Sequence, residues 1–296
     1  MSQVKVLRQA ENLVGEGPVW DSVGQALYWV DILSKQYFRD DLKGGFETTT
    51  VDRHIGAVLP TQRSGELLLM VRDGFQLRSP EGEIVDLCLP LADVPTIRFN
   101  DGKVDPRGRA YGGTMPYDWQ SGAEHGELYR LHVRADSAQL TTVESPVKLA
   151  NGLGWSPDGA TLYFIDSGDF VVYAYDYDVD SGKASGRRVL ASVEPVDGLP
   201  DGLTVDAEGA VWVAMHGAGR VRRYLPGGEL DREIVLPATQ LTSVCFAGPD
   251  LDLLIVTSAR LGLTDEALAT QPLAGSVFSV DAGVRGLPST PWRVDA

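Results

Sequence analysis

The sequence predicts an all-β fold, a six-bladed β-propeller with four-stranded antiparallel blades around a central channel. Three observations lead there. An apolar run that enters a polar turn and leaves as a second strand recurs six times, anchored on Trp20, Pro60, Val104, Trp155, Val205 and Phe246. The anchors stand about 40 to 50 residues apart, the length of one four-stranded blade. No segment sustains a helical period over several turns, and only Thr264 to Ala269 suggests a single helical turn.

The elements follow in order. Five units share one turn position: Asp21-Ser22-Val23-Gly24, Gln62-Arg63-Ser64-Gly65, Asp105-Pro106-Arg107-Gly108, Ser156-Pro157-Asp158-Gly159 and Asp206-Ala207-Glu208-Gly209. Each ends on the glycine that a positive φ favours. The sixth, Gly248-Pro249-Asp250, departs. Beyond the turns come runs rich in aromatic and β-branched residues, such as Ala26 to Val30, Thr161 to Ile165 and Val211 to Ala214, which read as second strands. Third and fourth strands are legible in unit four (Val171 to Tyr177, Arg187 to Ala191) and in unit five (Arg220 to Leu225, Asp231 to Leu236). One way to close the ring sets Val4 to Leu7 beside the strands around Ser276 to Val280, removing an open edge. The sequence leaves that closure open.

Composition bounds the function. Barrel-like β folds often take roughly 200 to 250 residues or more as one unit, so residues 1–296 read as one propeller domain, with no linker tract between repeats. A chain this long buries enough apolar surface to fold without disulfides or a structural metal. Cys88 and Cys245 both lie in apolar runs and read as buried free thiols, which fits a reducing compartment. Met1 to Asn12 lacks the apolar stretch needed for export or membrane insertion, so a cytoplasmic location is expected. The net charge of -15 argues against a nucleic-acid partner. Nothing demands a stable assembly, and a monomer or weak homo-oligomer is expected.

The residue four places before each anchor is Glu16, Gly56, Asn100, Asn151, Asp201 or Thr242. Innermost propeller strands surround the channel, so equivalent residues near their starts converge although far apart in sequence. Glu16, Asn100, Asn151 and Asp201 would form a hard oxygen set suited to Ca²⁺, Mg²⁺ or Mn²⁺, with Zn²⁺ or Fe²⁺ admissible if water completes the shell. The competing reading takes Asn151-Gly152 and Asp201-Gly202 as ordinary turn pairs. It does not account for Glu in Gly15-Glu16-Gly17-Pro18 at the same register.

Five segments together resemble the gluconolactonase and regucalcin family of sugar lactonases: Gly15 to Trp20, Arg98 to Asp105, Gly113-Thr114-Met115, Asn151 to Ser156 and Pro200 to Asp206. They span nearly the whole chain in the family's order. The resemblance implies a six-bladed propeller that binds one divalent metal in its channel and hydrolyses aldonolactones. It implies Glu16, Asn151 and Asp201 as metal ligands, and Arg98 and Asn100 as residues that hold sugar hydroxyls. Asp118 stands where family members often carry Glu, a methylene shorter and beside Tyr117 and Trp119. Those two aromatics either pack their loop, the preferred reading, or stack on a sugar's C–H face. The run Thr257 to Asp265 resembles bacterial pentono- and hexonolactonases more than the animal proteins.

Opening an aldonolactone needs a polarised carbonyl and an activated water, which a metal with only three protein ligands leaves room for. Asp201 is the expected general base on metal-bound water. Two other readings stand beside this one: a hydrolase of non-sugar lactones or organophosphate esters on the same scaffold, and a calcium-binding propeller without turnover. His54, His125, His132 and His216 show no metal-ligand spacing, and only His216 is expected near the channel. There is no Gly-x-Ser-x-Gly elbow, phosphate loop or dinucleotide fingerprint. Gly217-Ala218-Gly219 reads as a hairpin turn.

Overall fold

The computed structural model describes residues 4–134 and 137–294. Within them the chain forms six four-stranded antiparallel sheets, the blades of a propeller. The innermost strand of each blade is the run that carries an anchor: Gly15–Asp21, Ile55–Pro60, Ile97–Val104, Ala150–Trp155, Leu199–Val205 and Leu241–Ala247. Each lies against the innermost strands of the blades on either side, so the six close a ring around the channel.

Burial explains the strand sequences. Second strands are covered on both faces, and Leu67–Val71 is accordingly apolar and buried at every position. Outer strands such as Phe46–Thr50 and Leu230–Val235 face solvent and are largely polar. The core is divided rather than central, with one apolar cluster between each pair of adjacent blades. Trp212 and Phe246, for example, meet edge to face at 6.2 Å between blades five and six. The recurrent turn is tied by its first residue: Asp206 Oδ1 accepts from the Glu208 and Ala210 amides at 2.9 Å. Its Oδ2 accepts from Trp212 Nε1 and Arg223 Nε at 2.8 Å, pinning the turn to the second and third strands.

Closure follows the expected route. Val4, Lys5 and Val6 pair antiparallel with Val280, Ser279 and Phe278, so strand Val4–Arg8 is the outer strand of blade six. The first three residues of the N-terminal reading, Met1 to Gln3, lie outside the described residues. Thr264 caps a short helix, Asp265–Thr270, by accepting from the Ala267 amide. Gly217 to Gly219 turn between Val211–His216 and Arg220–Tyr224, as read. One correction concerns the thiols: both are free, but only Cys245 is buried, while Cys88 ends the outer strand Ile84–Cys88 and is half-exposed. Among the described residues no helix is long and apolar enough to cross a membrane.

Candidate metal and substrate site

The register position is built by a repeated backbone defect. In blades two to six the pairing between first and second strands slips just before that position, after Ile55, Phe99, Ala150, Pro200 and Leu241; in blade one it slips one residue later, after Glu16, which still pairs with Val30. A bulge leaves residues unpaired and re-aims their side chains. Asn151-Gly152 and Asp201-Gly202 are therefore not turn pairs; both lie inside innermost strands. Their glycines are set by close approach. A Cβ on Gly202 would stand 2.0 Å from Ser243 Oγ, and one on Gly152 would stand 2.4 Å from the Leu203 amide nitrogen.

Three of the predicted residues form one hydrogen-bonded line. Arg98 Nη1 donates to Asn100 Oδ1 at 2.7 Å and to the Phe99 carbonyl at 3.1 Å. Asn100 Nδ2 donates to Asn151 Oδ1 and to the Ala150 carbonyl, both at 2.8 Å. Asn151 Nδ2 continues to Ser167 Oγ at 2.8 Å, and Ser167 Oγ donates to the Pro200 carbonyl at 2.6 Å, one residue before Asp201. Arg98, Asn100, Asn151 and Ser167 are all buried.

The two carboxylates meet one another close to Arg98. Glu16 accepts from the Gly17 amide at 2.7 Å, and Asp201 is close enough to Glu16 for one carboxyl to hydrogen-bond the other. Burial, then the nearby Asp101 charge, pushes Glu16 up to about 8. Burial, then Glu16 and Asp101, holds Asp201 well above the usual carboxylate range. Arg98 pulls both downward without offsetting their desolvation, and burial also lowers its own affinity for a proton.

The remaining register positions are spent on structure. Thr242 donates its hydroxyl to the Gly15 carbonyl, tying blade six to blade one. Gly56 has no side chain because the Asn100 carbonyl stands 2.4 Å from where its Cβ would be. Asp118 stands apart from the buried group: it is exposed on the loop after strand Ala110–Pro116, where its carbonyl accepts from Ser121. His216 ends its strand beside Gln240, and among the described residues it belongs to no metal-sized group of His, Cys, Asp or Glu.

Sequence reasoning missed Asp101, Ser167 and Ser243. Asp101 is buried in the same bulge as Asn100, and burial pushes it up to about 6 against the pull of Lys103 and the Gly102 amide. A cavity of about 240 Å³ lies farther along the innermost strands, with Asp101, Lys103, Trp155 and Leu287 in its wall. Glu16, Asn151 and Asp201 do not line it, but Asp101 and Ser243 do, so it adjoins the site described above.

The donor chemistry fits a hard divalent cation. Two buried carboxylates that repel one another are what a cation would relieve, and the amide oxygens of Asn151 and Asn100 each keep a second lone pair. Among the described residues no third His, Cys, Asp or Glu joins the carboxylates in a metal-sized group, so amides and solvent would complete the shell.

Comparison with known proteins places the chain in a family. Residues 14–260 match the model of the SMP-30/Gluconolactonase/LRE-like region. Regucalcin from Danio rerio is 38% identical over 295 residues, covering 97% of this chain and 98% of its own. A solved calcium-binding protein, regucalcin from Agrobacterium tumefaciens, superposes with a TM-score of 0.92 at 28% identity, covering 99% of this chain and 98% of that one. A solved luciferin-regenerating enzyme gives 0.91 at 31% identity over 99% of this chain and 100% of that one. The likeness spans nearly the whole chain, and the chain belongs to the SMP-30/gluconolactonase/LRE-like family.

Proposed function

We propose that the protein is a metal-dependent lactonase that opens sugar aldonolactones to aldonic acids. The observation that carries this reading is the buried Glu16–Asp201 carboxylate pair beside the Arg98–Asn100–Asn151 line. Family membership supports a lactonase-type activity, and the calcium-binding relative supports a divalent ion. Glu16, Asn151 and Asp201 would hold that ion, and when bound it supplies Lewis-acid polarisation of the lactone carbonyl.

The chain's own residues do the rest. Asp201 takes a proton from the attacking water as its oxygen bonds to the carbonyl carbon. That proton passes to the ring oxygen when the C–O bond breaks, giving a hydroxy acid. A positioned base of this kind contributes about 10²- to 10⁴-fold. Arg98 has an unfilled role in this site: Nη1 is occupied by Phe99 and Asn100, and its other donors have no protein acceptor among the described residues. A buried guanidinium with spare donors suits a ligand rich in hydroxyls and disfavours an apolar ester. Asp118 is proposed to contact substrate from the rim loop.

The test is acid release from a panel of pentono- and hexonolactones, hydrophobic lactones and phosphotriesters, before and after chelation and with single metals restored. Sugar lactones are expected to turn over only with metal present, and Asp201→Asn is expected to lose at least about 10²-fold in kcat. Turnover confined to hydrophobic lactones or phosphotriesters would reject the substrate class. Metal binding without any turnover would favour a calcium-binding role instead, and full activity in Asp201→Asn would remove the proposed base.

A further inference from the structure

Tyr117 is an exposed aromatic with an unusually fixed position. Arg98 pairs directly with Met115 across the first two strands of blade three, and Tyr117 stands two residues beyond Met115, which puts Arg98, Met115 and Tyr117 on one face. The Tyr117 amide donates to the Thr96 carbonyl at 2.9 Å, holding the backbone where the strand ends. Its ring lies over the Arg98 guanidinium at 5.8 Å. Its hydroxyl is 2.8 Å from His54 Nδ1, on the segment leading into the innermost strand of blade two, and the two rings meet edge to face at 6.1 Å. Although tethered at both ends, Tyr117 remains 42% exposed. An aromatic that only packed its loop would turn that area inward.

We propose that Tyr117, held by His54 across the gap between blades two and three, forms an aromatic wall of the substrate site and binds the C–H face of the sugar ring. This rests on the sugar-lactone reading above. The polar edge of the ring would be read by Arg98 and Asn100 and its apolar face by Tyr117, the division of labour expected when an amphipathic ring enters a site built from both kinds of group. Tyr117 is a binding residue; His54 is a positioning residue that acts through it. Substrates whose ring presents a hydroxyl toward Tyr117 are disfavoured relative to epimers that present hydrogen there.

The experiment measures kcat and KM for the best lactone, and aldonate affinity by calorimetry, in wild type, Tyr117→Leu, His54→Ala and His54→Asn. Leu keeps an apolar side chain but removes the aromatic face and the hydroxyl that meets His54; Tyr117→Leu is expected to raise KM and the aldonate Kd about two- to tenfold with kcat within about twofold. His54→Ala is expected to raise KM about two- to threefold. His54→Asn, whose δ-atom falls where Nδ1 stood, is expected to restore wild-type KM, which loss of bulk alone does not predict. Unchanged KM and Kd in Tyr117→Leu, or His54→Asn behaving like His54→Ala, overturns the proposal. Should Tyr117→Leu fail to fold, Tyr117→Phe decides: it keeps the ring but frees it from His54, so it is expected to match His54→Ala, and wild-type KM overturns the tether. A wild-type protein that neither opens sugar lactones nor binds aldonates refutes the sugar-lactone reading itself, whereas an active wild type with an indifferent Tyr117 refutes only this inference.

Discussion

Glu16 is an acid held against its solution chemistry. Unfolded, it titrates near 4.5; folded and without a cation it is pushed up to about 8. Between those values the native state binds the additional proton, so stability falls as pH rises: the contribution is complete below about pH 4.5 and gone above about pH 8. Asp201 shifts in the same direction and adds to the slope. In chelator, the thermal midpoint is therefore expected to fall between about pH 6 and pH 9. A divalent cation favours the ionised carboxylates, so added Ca²⁺ should flatten or reverse that slope and release protons on binding below about pH 8. Melting curves with and without Ca²⁺ check both, and a midpoint that rises with pH in chelator contradicts the buried pair. The principal residues were legible because Glu16, Asn151 and Asp201 share one place in a repeat. Asp101 and Ser167 were not. The first shares a bulge with Asn100 and has no counterpart in the other units, while the second follows a second strand and reaches the site only through folding.

At the scale of the strand, the bulge is what turns a repeat into a site. Pattern alone marks these segments as strands, and it marks their Asn-Gly and Asp-Gly pairs as turns, because both choices satisfy local chemistry. The distinction lies in the neighbouring blade, which sequence pattern does not show: Gly202 is small because Ser243 of the next innermost strand presses against it. Gly202→Ala must push those two strands apart, at a cost of about 1 to 3 kcal/mol by overpacking. For a protein of this size each kcal/mol lowers the midpoint by about 2 to 4 °C. Because the displaced backbone belongs to Asp201's neighbour, calcium affinity is expected to fall at least about tenfold as well. Calorimetric titration and melting of the variant test this together, and a variant with wild-type values for both would show that the inner ring has slack at this point.

Across the whole molecule, the ring depends on one strand that arrives from the far end of the chain. Strand Val4–Arg8 completes blade six, and its last residue reaches into blade one, where Arg8 Nε donates to Asp40 Oδ2 at 2.6 Å and the guanidinium lies 4.6 Å from the Phe46 ring centroid. Asp40 is only 1% exposed, whereas the Arg8 side chain keeps a third of its surface in solvent. The asymmetry sets the energetics. Removing the arginine leaves a buried carboxylate whose other identified donor is the Leu42 amide at 2.8 Å, and loss of one partner of such a pair costs about 3 to 5 kcal/mol. Arg8→Ala is therefore expected to lower the thermal midpoint by roughly 6 to 20 °C, taking about 2 to 4 °C per kcal/mol for a domain of this size. Arg8→Ala with Asp40→Asn should recover more than half of that loss, because the amide no longer strands a charge in the blade. If closure relied on β-pairing alone, Arg8→Ala would be nearly silent and only deletion of residues 1–8 would open the ring. A double variant no more stable than Arg8→Ala would assign the loss to packing of the arginine stem on Phe46 rather than to its charge.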